Sequence, residues 1–313
     1  MNFKINGMIL VVLLFTTVSS TIAVNFDDSS ETGIILIGDT GKDNDGQLNV
    51  SNSIQNFCAT EKCDLGLMAG DNVYPAGLTS PTDKIMERLF DFYYNPLNIP
   101  FLIALGNHDY GKFSNDWKRG AWQLKHAEKN PAFQIPNYYY IHETKDAVIA
   151  VIDTSRLMWR KDTFAQRDML AEAYARAKSQ NKWYFVMGHH PYLSNGKHGN
   201  AGNYERLRTP YFISGTNVQK FIERHVCDKA HFYFAGHEHS LQVIDGNVKG
   251  CNTQLIVSGT GASATKLFKR NRVDFESLEL GYFHLGLTAD TLRVRAIGQN
   301  SKVMFEKNYI RTK

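Results

Sequence analysis

Short apolar, β-prone runs recur along the chain, and each ends in a glycine or small residue followed at once by polar side chains. They occupy residues 34–37, 65–68, 101–105, 148–152, 183–187, 231–235 and 255–258. Within them apolar residues hardly alternate with polar ones, which predicts strands covered on both faces, as in α/β sheets. Helix-like segments at 83–94, 163–179 and 218–224 fall between several of these runs, so the pattern predicts an α/β architecture. Residues 282–287, 292–296 and 303–307 alternate more clearly and read as antiparallel strands. No repeat of solenoid length, low-complexity tract or long Pro/Ser linker interrupts the series, so one domain is expected.

In open α/β sheets, ligands sit at the carboxyl ends of the strands. The residues that follow the runs are Gly38-Asp39-Thr40-Gly41, Gly70-Asp71-Asn72-Val73-Tyr74, Gly106-Asn107-His108-Asp109, Gly188-His189-His190-Pro191 and Gly236-His237-Glu238-His239. Taken singly, each reads as an ordinary polar turn; as an ordered set, five loops are placed to converge on one site. Their donors are carboxylates, an amide oxygen and imidazoles, without a thiolate, which suits iron, manganese or zinc better than calcium. They are too many for one four-coordinate ion and point to two metals sharing a carboxylate. Such pairs, roughly 3.5–4 Å apart, clamp the attacking and leaving oxygens in phosphoryl displacement.

Composition sets the surroundings of this site. With 313 residues, 43% of them apolar, the chain can bury a substantial core near the upper size for one domain. The N-terminus runs Met1-Asn2-Phe3-Lys4, then an apolar stretch over 8–15, then Thr/Ser-rich sequence to Ala23. This order predicts a secretory signal peptide over 1–23 and a single catalytic domain over 24–313, placed outside the cytoplasm or in the periplasm. The apolar stretch is short of the roughly 20 residues a spanning helix needs, so no stable membrane span is expected in the mature chain. An exported chain permits disulfides, and Cys58, Cys63, Cys227 and Cys251 allow three pairings. Their spacing favours 58 with 63 and 227 with 251. No close Cys-x-x-Cys pair is present, which argues against a thiolate zinc site. The formal charge is +4, and apart from the stretch 266–272 the basic residues are scattered. That is not the footprint of a nucleic-acid binder. A monomer acting on small molecules is expected.

The ordered motifs Gly38-Asp39-Thr40-Gly41, Gly70-Asp71-Asn72-Val73-Tyr74, Gly106-Asn107-His108-Asp109, Val186-Met187-Gly188-His189 and Gly236-His237-Glu238-His239 resemble the five metal-binding blocks of purple acid phosphatases, within the calcineurin-like metallophosphoesterases. Size and short C-terminus make the chain similar to the small, tartrate-resistant type, and the resemblance covers essentially all of the mature sequence. Tyr74, three residues after Asp71, is the feature that selects the purple subgroup.

The resemblance implies a four-layer αββα sandwich, with two mixed β-sheets face to face and helices outside. It implies a ferric ion held by Asp39, Tyr74 and His239, a divalent partner (iron, zinc or manganese) held by Asn107, His189 and His237, and Asp71 bridging the two. The expected reaction is hydrolysis of small phosphate monoesters to inorganic phosphate by a metal-held hydroxide. Mildly acidic conditions are expected, because a ferric ion acidifies its water more than a divalent one. His108 matches the family's substrate-binding and acid-catalysis histidine. His198 matches the second such histidine; it lies in a Gly/Asn-rich loop, 194–203, for which a mobile surface role is the competing reading. Asn107 also faces substrate, His190 is assigned to the pocket lining, and Glu238 is expected to point away from the metals. His126, His142, His225, His231 and His284 match no motif and are read as ordinary.

Two departures from mammalian-type members are visible. Between residues 154 and 183 there is no cysteine, where those members carry one in a repressive exposed loop, and the cysteines near the second and fifth motifs resemble those of microbial relatives. Two rival functions remain. A phosphodiesterase or nucleotide pyrophosphatase would use the same two-metal core, and a secreted binding protein would use its metals structurally.

Overall fold

Every apolar run is a strand in the computed structural model, which describes residues 31–311; the expected signal peptide, 1–23, lies outside the described residues. In chain order the strands are β1 (Thr32–Ile37), β2 (Leu65–Met68), β3 (Phe101–Ile103), β4 (Phe133–Gln134), β5 (Tyr140–Glu143), β6 (Ala147–Val151), β7 (Trp183–Met187), β8 (Phe232–Ala235), β9 (Leu241–Asp245), β10 (Gln254–Ser258), β11 (Val273–Ser277), β12 (Gly281–Leu287), β13 (Thr291–Gly298) and β14 (Val303–Ile310).

Among the described residues they form two seven-stranded sheets, ordered β14-β13-β12-β1-β2-β3-β4 and β11-β9-β10-β8-β7-β6-β5. Both are mixed. In the first, β1 to β4 run parallel and β12 to β14 antiparallel. In the second, a parallel centre of β6, β7, β8 and β10 is flanked by antiparallel β5, β9 and β11.

Alternate residues of one strand serve opposite layers, which explains the unbroken apolar runs. Ile149, Val151, Phe185, Met187, Phe234 and Ile256 share the core between the sheets with Leu36 and Ile103. Their neighbours Val148, Ala150, Val186 and Val257 face outward. They pack with Leu170 and Ala173 of helix Thr163–Ser179 and with Val218 and Phe221 of helix Thr216–His225. Helix Asp45–Cys58 adds Val50, Ile54 and Phe57 on the side of the first sheet, completing the αββα sandwich.

Several elements lie outside the sequence expectation. Helices Asp45–Cys58 and Trp117–Ala127 and strands β4, β5, β9 and β11 were not anticipated. The segment 83–94 includes a π-helical turn, Glu87–Asp91, before Phe92–Tyr94. The cysteine sulfurs sit in the pairs favoured by spacing, Cys58 with Cys63 and Cys227 with Cys251. Residues 154–179 include two helices, Thr154–Met158 and Thr163–Ser179. No helix among the described residues is long and apolar enough to cross a membrane.

Candidate metal centre

The loops leaving β1, β2 and β3 of the first sheet meet those leaving β7 and β8 of the second at one edge of the sandwich. Backbone bonds fix them: the Asp39 amide donates to Gly70 O at 2.9 Å and the Gly236 amide to His189 O at 3.0 Å. A bond between sheets runs from the His237 amide to Asp39 Oδ2, 2.8 Å. Gly70 has φ +90°, and a Cβ there would stand 2.7 Å from His189 Nδ1, so this turn admits no side chain. Asp39, Asp71 and His237 themselves hold left-handed φ of 57°, 56° and 68°. That conformation costs of order 1–3 kcal/mol at a non-glycine residue and persists where surrounding structure enforces it.

Two groups of donor atoms result. In the first, Tyr74 Oη donates to Asp71 Oδ2 at 2.9 Å and to Asp39 Oδ1 at 3.0 Å, and lies 3.1 Å from His239 Nε2. In the second, Asn107 Oδ1 is 3.0 Å from both His189 Nε2 and His237 Nδ1. Asp71 joins them, since its Oδ2 is also 3.3 Å from His189 Nε2. All seven residues expected at a metal centre therefore share one pocket.

Outer contacts aim these side chains. His189 Nδ1 bonds Ala69 O at 2.8 Å, and His239 Nδ1 bonds Ser263 Oγ at 2.9 Å. Lys42 Nζ reaches the same Ser263 hydroxyl at 2.6 Å. Asp109 gathers the amides of Asn72, Val73 and Gly106 and the Gln123 side chain, clasping the second motif to the third.

The electrostatics favour positive charge at this site. Asp39 and Asp71 are fully buried within reach of one phenol, and burying carboxylates without a positive partner is costly. Burial opposes ionisation of Asp71, yet the His189 and His108 rings hold its carboxyl below the usual range. Burial likewise opposes protonation of His189, but Asp71 and Asp39 push it up to about 9. Burial, with Asp39 and Asp71 alongside, drives the Tyr74 phenol well above its ordinary value. In the bare chain a proton on His189 thus compensates the carboxylates. Convergent O and N donors around two buried carboxylates fit a pair of metal ions, with Asp71 between them.

Beside this centre, the His108 amide donates to Asp71 Oδ1 at 2.8 Å and its Nδ1–H donates to Pro75 O at 2.6 Å. That leaves Nε2 available toward the pocket. The His198 ring sits 4.6 Å from that of His237, and its Nδ1 pairs with Glu205. His190 is buried, bonds Thr154 Oγ1 at 2.8 Å through Nδ1, and its ring lies 4.5 Å from that of His237 at a tilt of 44°. A groove of about 330 Å³ opens from His190, Asn107 and His237 past Trp159, Phe212 and Phe113. None of His126, His142, His225, His231 and His284 is among the residues of the two donor groups or the groove.

Two supports were not legible in sequence. Glu238 turns away from the donor groups, and its Oε1 accepts the Gly199 amide at 2.6 Å, anchoring the loop that carries His198. Asp153 caps helix Thr154–Met158 and takes a short hydrogen bond from the Tyr110 hydroxyl. Burial pushes its carboxyl up to about 7.

Comparison with known proteins gives this geometry its context. Residues 32–241 match the family described as calcineurin-like phosphoesterase, which takes in the five motif loops. The chain belongs to the calcineurin-like phosphoesterase family. As a calcineurin-like phosphoesterase it is a hydrolase. It is 27% identical over 298 residues to purple acid phosphatase 3 of Arabidopsis thaliana, covering 87% of this chain and 75% of that relative. It is 23% identical to tartrate-resistant acid phosphatase type 5 of Oryctolagus cuniculus over 77% of each chain. Among solved structures, GAP50, the anchor in the inner membrane complex of Plasmodium, superposes with a TM-score of 0.68 at 18% identity. That superposition covers 91% of this calcineurin-like phosphoesterase and 90% of GAP50, and it speaks to the fold.

Proposed function

We propose that this protein is an exported acid phosphatase that hydrolyses phosphate monoesters at a dinuclear centre of one ferric and one divalent ion. The observation that carries the reading is the Tyr74 phenol, 2.9–3.1 Å from Asp71, Asp39 and His239 at once. A phenol held protonated by burial beside two carboxylates is a poor ligand for a weakly acidic cation; a strong Lewis acid is needed to displace its proton. Similarity to purple acid phosphatases supports the same assignment. Two paired cysteines in each of two sites support an oxidising destination.

In this reading Asp39, Tyr74 and His239 would hold the ferric ion, Asn107, His189 and His237 would hold the divalent ion, and Asp71 would be shared by the two. When bound, the ions lower the pKa of water and neutralise phosphate charge. The chain's own groups do the rest. The Ala69 carbonyl and Ser263 hydroxyl fix the ring orientations of His189 and His239. His108 keeps Nδ1 on Pro75 O, so the proton it delivers to the leaving oxygen resides on Nε2. His198, whose ring lies 4.6 Å from that of His237, contributes a second imidazole, steadied by Glu205. His190 and the groove aromatics exclude water from the leaving-group side.

The test is metal analysis of the purified protein combined with rates on a phosphate monoester and a matched diester at pH 4–8. Two ions per chain including iron, with the monoester favoured, is the expected result. A clear preference for the diester would replace this reading with a phosphodiesterase.

A further inference from the structure

One concentration of charge is not used by the reaction just described. Phe268 lies in the loop after β10 and carries three cations around its ring, with Arg270 at 4.7 Å, Arg206 at 5.4 Å and Lys266 at 5.5 Å from the centroid. All three cations are exposed. Arg206 and Lys266 have no carboxylate ion pair among the described residues. Arg270 bonds the Gly196 carbonyl and feels the buried Glu238. Like charges gathered on one apolar ring repel one another, and an anion relieves that repulsion.

The cluster is tied to the metal centre from both sides. On one, the Thr265 amide donates to His239 O at 2.9 Å and Ser263 bonds the His239 ring, so Lys266 follows directly on that contact. On the other, Phe268 and Arg270 donate their amides to Asn195, at the base of the loop that carries His198. Arg206 adjoins Glu205, the partner of His198. The cluster is therefore joined to the segments that carry His198 and His239, and the Arg270 guanidinium carbon stands 3.7 Å from where a Cβ on Gly199, the residue after His198, would lie.

We propose that Arg206, Lys266 and Arg270 around Phe268 form a subsite for a second anionic group. The preferred substrates are then phosphomonoesters bearing another phosphate beyond the one hydrolysed. This inference rests on the acid phosphatase reading and names its substrate class. No covalent step is added; the subsite binds and orients, and its field raises the encounter rate of polyanions.

The experiment compares fructose 1,6-bisphosphate with fructose 1-phosphate and fructose 6-phosphate as substrates of the metal-loaded enzyme. In the wild type, kcat/KM for the bisphosphate should exceed the sum of the two monophosphates by about tenfold at low ionic strength and approach it in high salt. The double variant Arg206→Gln/Lys266→Gln should lose that excess while its monophosphate rates stay unchanged. Absence of an excess in the wild type, or an excess that survives in the variant, overturns the subsite. Should none of the three be hydrolysed, the phosphatase reading fails first, and calorimetric binding of tripolyphosphate and orthophosphate decides the subsite. The double variant should then weaken tripolyphosphate alone by about tenfold. Equal binding by both proteins overturns the proposal.

Discussion

Tyr74 Oη donates to Asp71 Oδ2 at 2.9 Å from only three positions away, because the left-handed φ of 56° at Asp71 folds the second motif back on itself. The phenol is protonated in the bare chain, held so by burial and two carboxylates. Loading with ferric ion should release a proton and produce a visible absorption band from phenolate bound to iron. Tyr74→Phe should fold and take up metal without the band. An active enzyme containing two zinc ions and no iron would sink the ferric assignment.

The two histidines at the mouth differ in how firmly they are held. His108 is bonded through its amide to the Asp71 carboxylate and through its Nδ1 to the Pro75 carbonyl, whereas the His198 ring pairs with exposed Glu205. His108→Ala should lower kcat on alkyl phosphates by about 10²–10⁴, the usual contribution of a positioned general acid. On nitrophenyl phosphate the deficit should shrink, since that leaving oxygen scarcely needs a proton, and metal content should not change. His198→Ala should follow the same dependence more weakly. Equal loss on good and poor leaving groups would exclude either residue as a proton donor.

Asp153 predicts a pH dependence of stability. Its carboxyl rises from an ordinary 3.8 to about 7 on folding, through burial. The folded chain therefore keeps a proton that the unfolded chain gives up above about pH 4, and stability drains away as pH rises from there through about 7. Thermal melts of wild type and Asp153→Asn between pH 4 and 8 should show the wild-type advantage narrowing with rising pH. A constant gap would mean that Asp153 titrates normally.

Removing the pair Cys227 and Cys251 by alanine substitution should cost more than removing Cys58 and Cys63. The first closes a loop of 24 residues' separation and the second one of 5. Chain-entropy arithmetic gives about 3.5 kcal/mol for the longer loop and about 2 kcal/mol for the shorter. Denaturant midpoints of the two double variants check the order.

Much of the centre was legible because Asp39, Asp71, Asn107, His189 and His237 each directly follow a glycine at the end of an apolar strand, with Tyr74 and His239 a few residues further on, so that order in the chain maps onto position along the sheet edges. Strand β9 was hidden because it begins two residues after His239, with no turn signal to announce it. Helix Asp45–Cys58 escaped notice because its buried face mixes Gln47, Ser51 and Ser53 with Val50, Ile54 and Phe57, which blurs the apolar stripe. The role of Glu238 could not be read from spacing at all, since the amide it holds lies 39 positions away. Likewise, the stretch 266–272 looked like one short basic run, and only the fold adds Arg206 to it through the ring of Phe268.

The bond from the His237 amide to Asp39 Oδ2 joins a centre whose donors are divided between the sheets, Asp39, Asp71, Tyr74 and Asn107 following strands of the first and His189, His237 and His239 following strands of the second. Neither sheet alone owns all seven donors, so on the proposed assignment metal uptake and closure of the sandwich would be one equilibrium viewed from two ends. Under the proposed assignment each bound ion would act as a rivet through both layers, and its free energy of binding would appear as resistance to their separation. A chelator would then act as a denaturant of the seam before it acts on either sheet, and refolding would be scored by the return of metal.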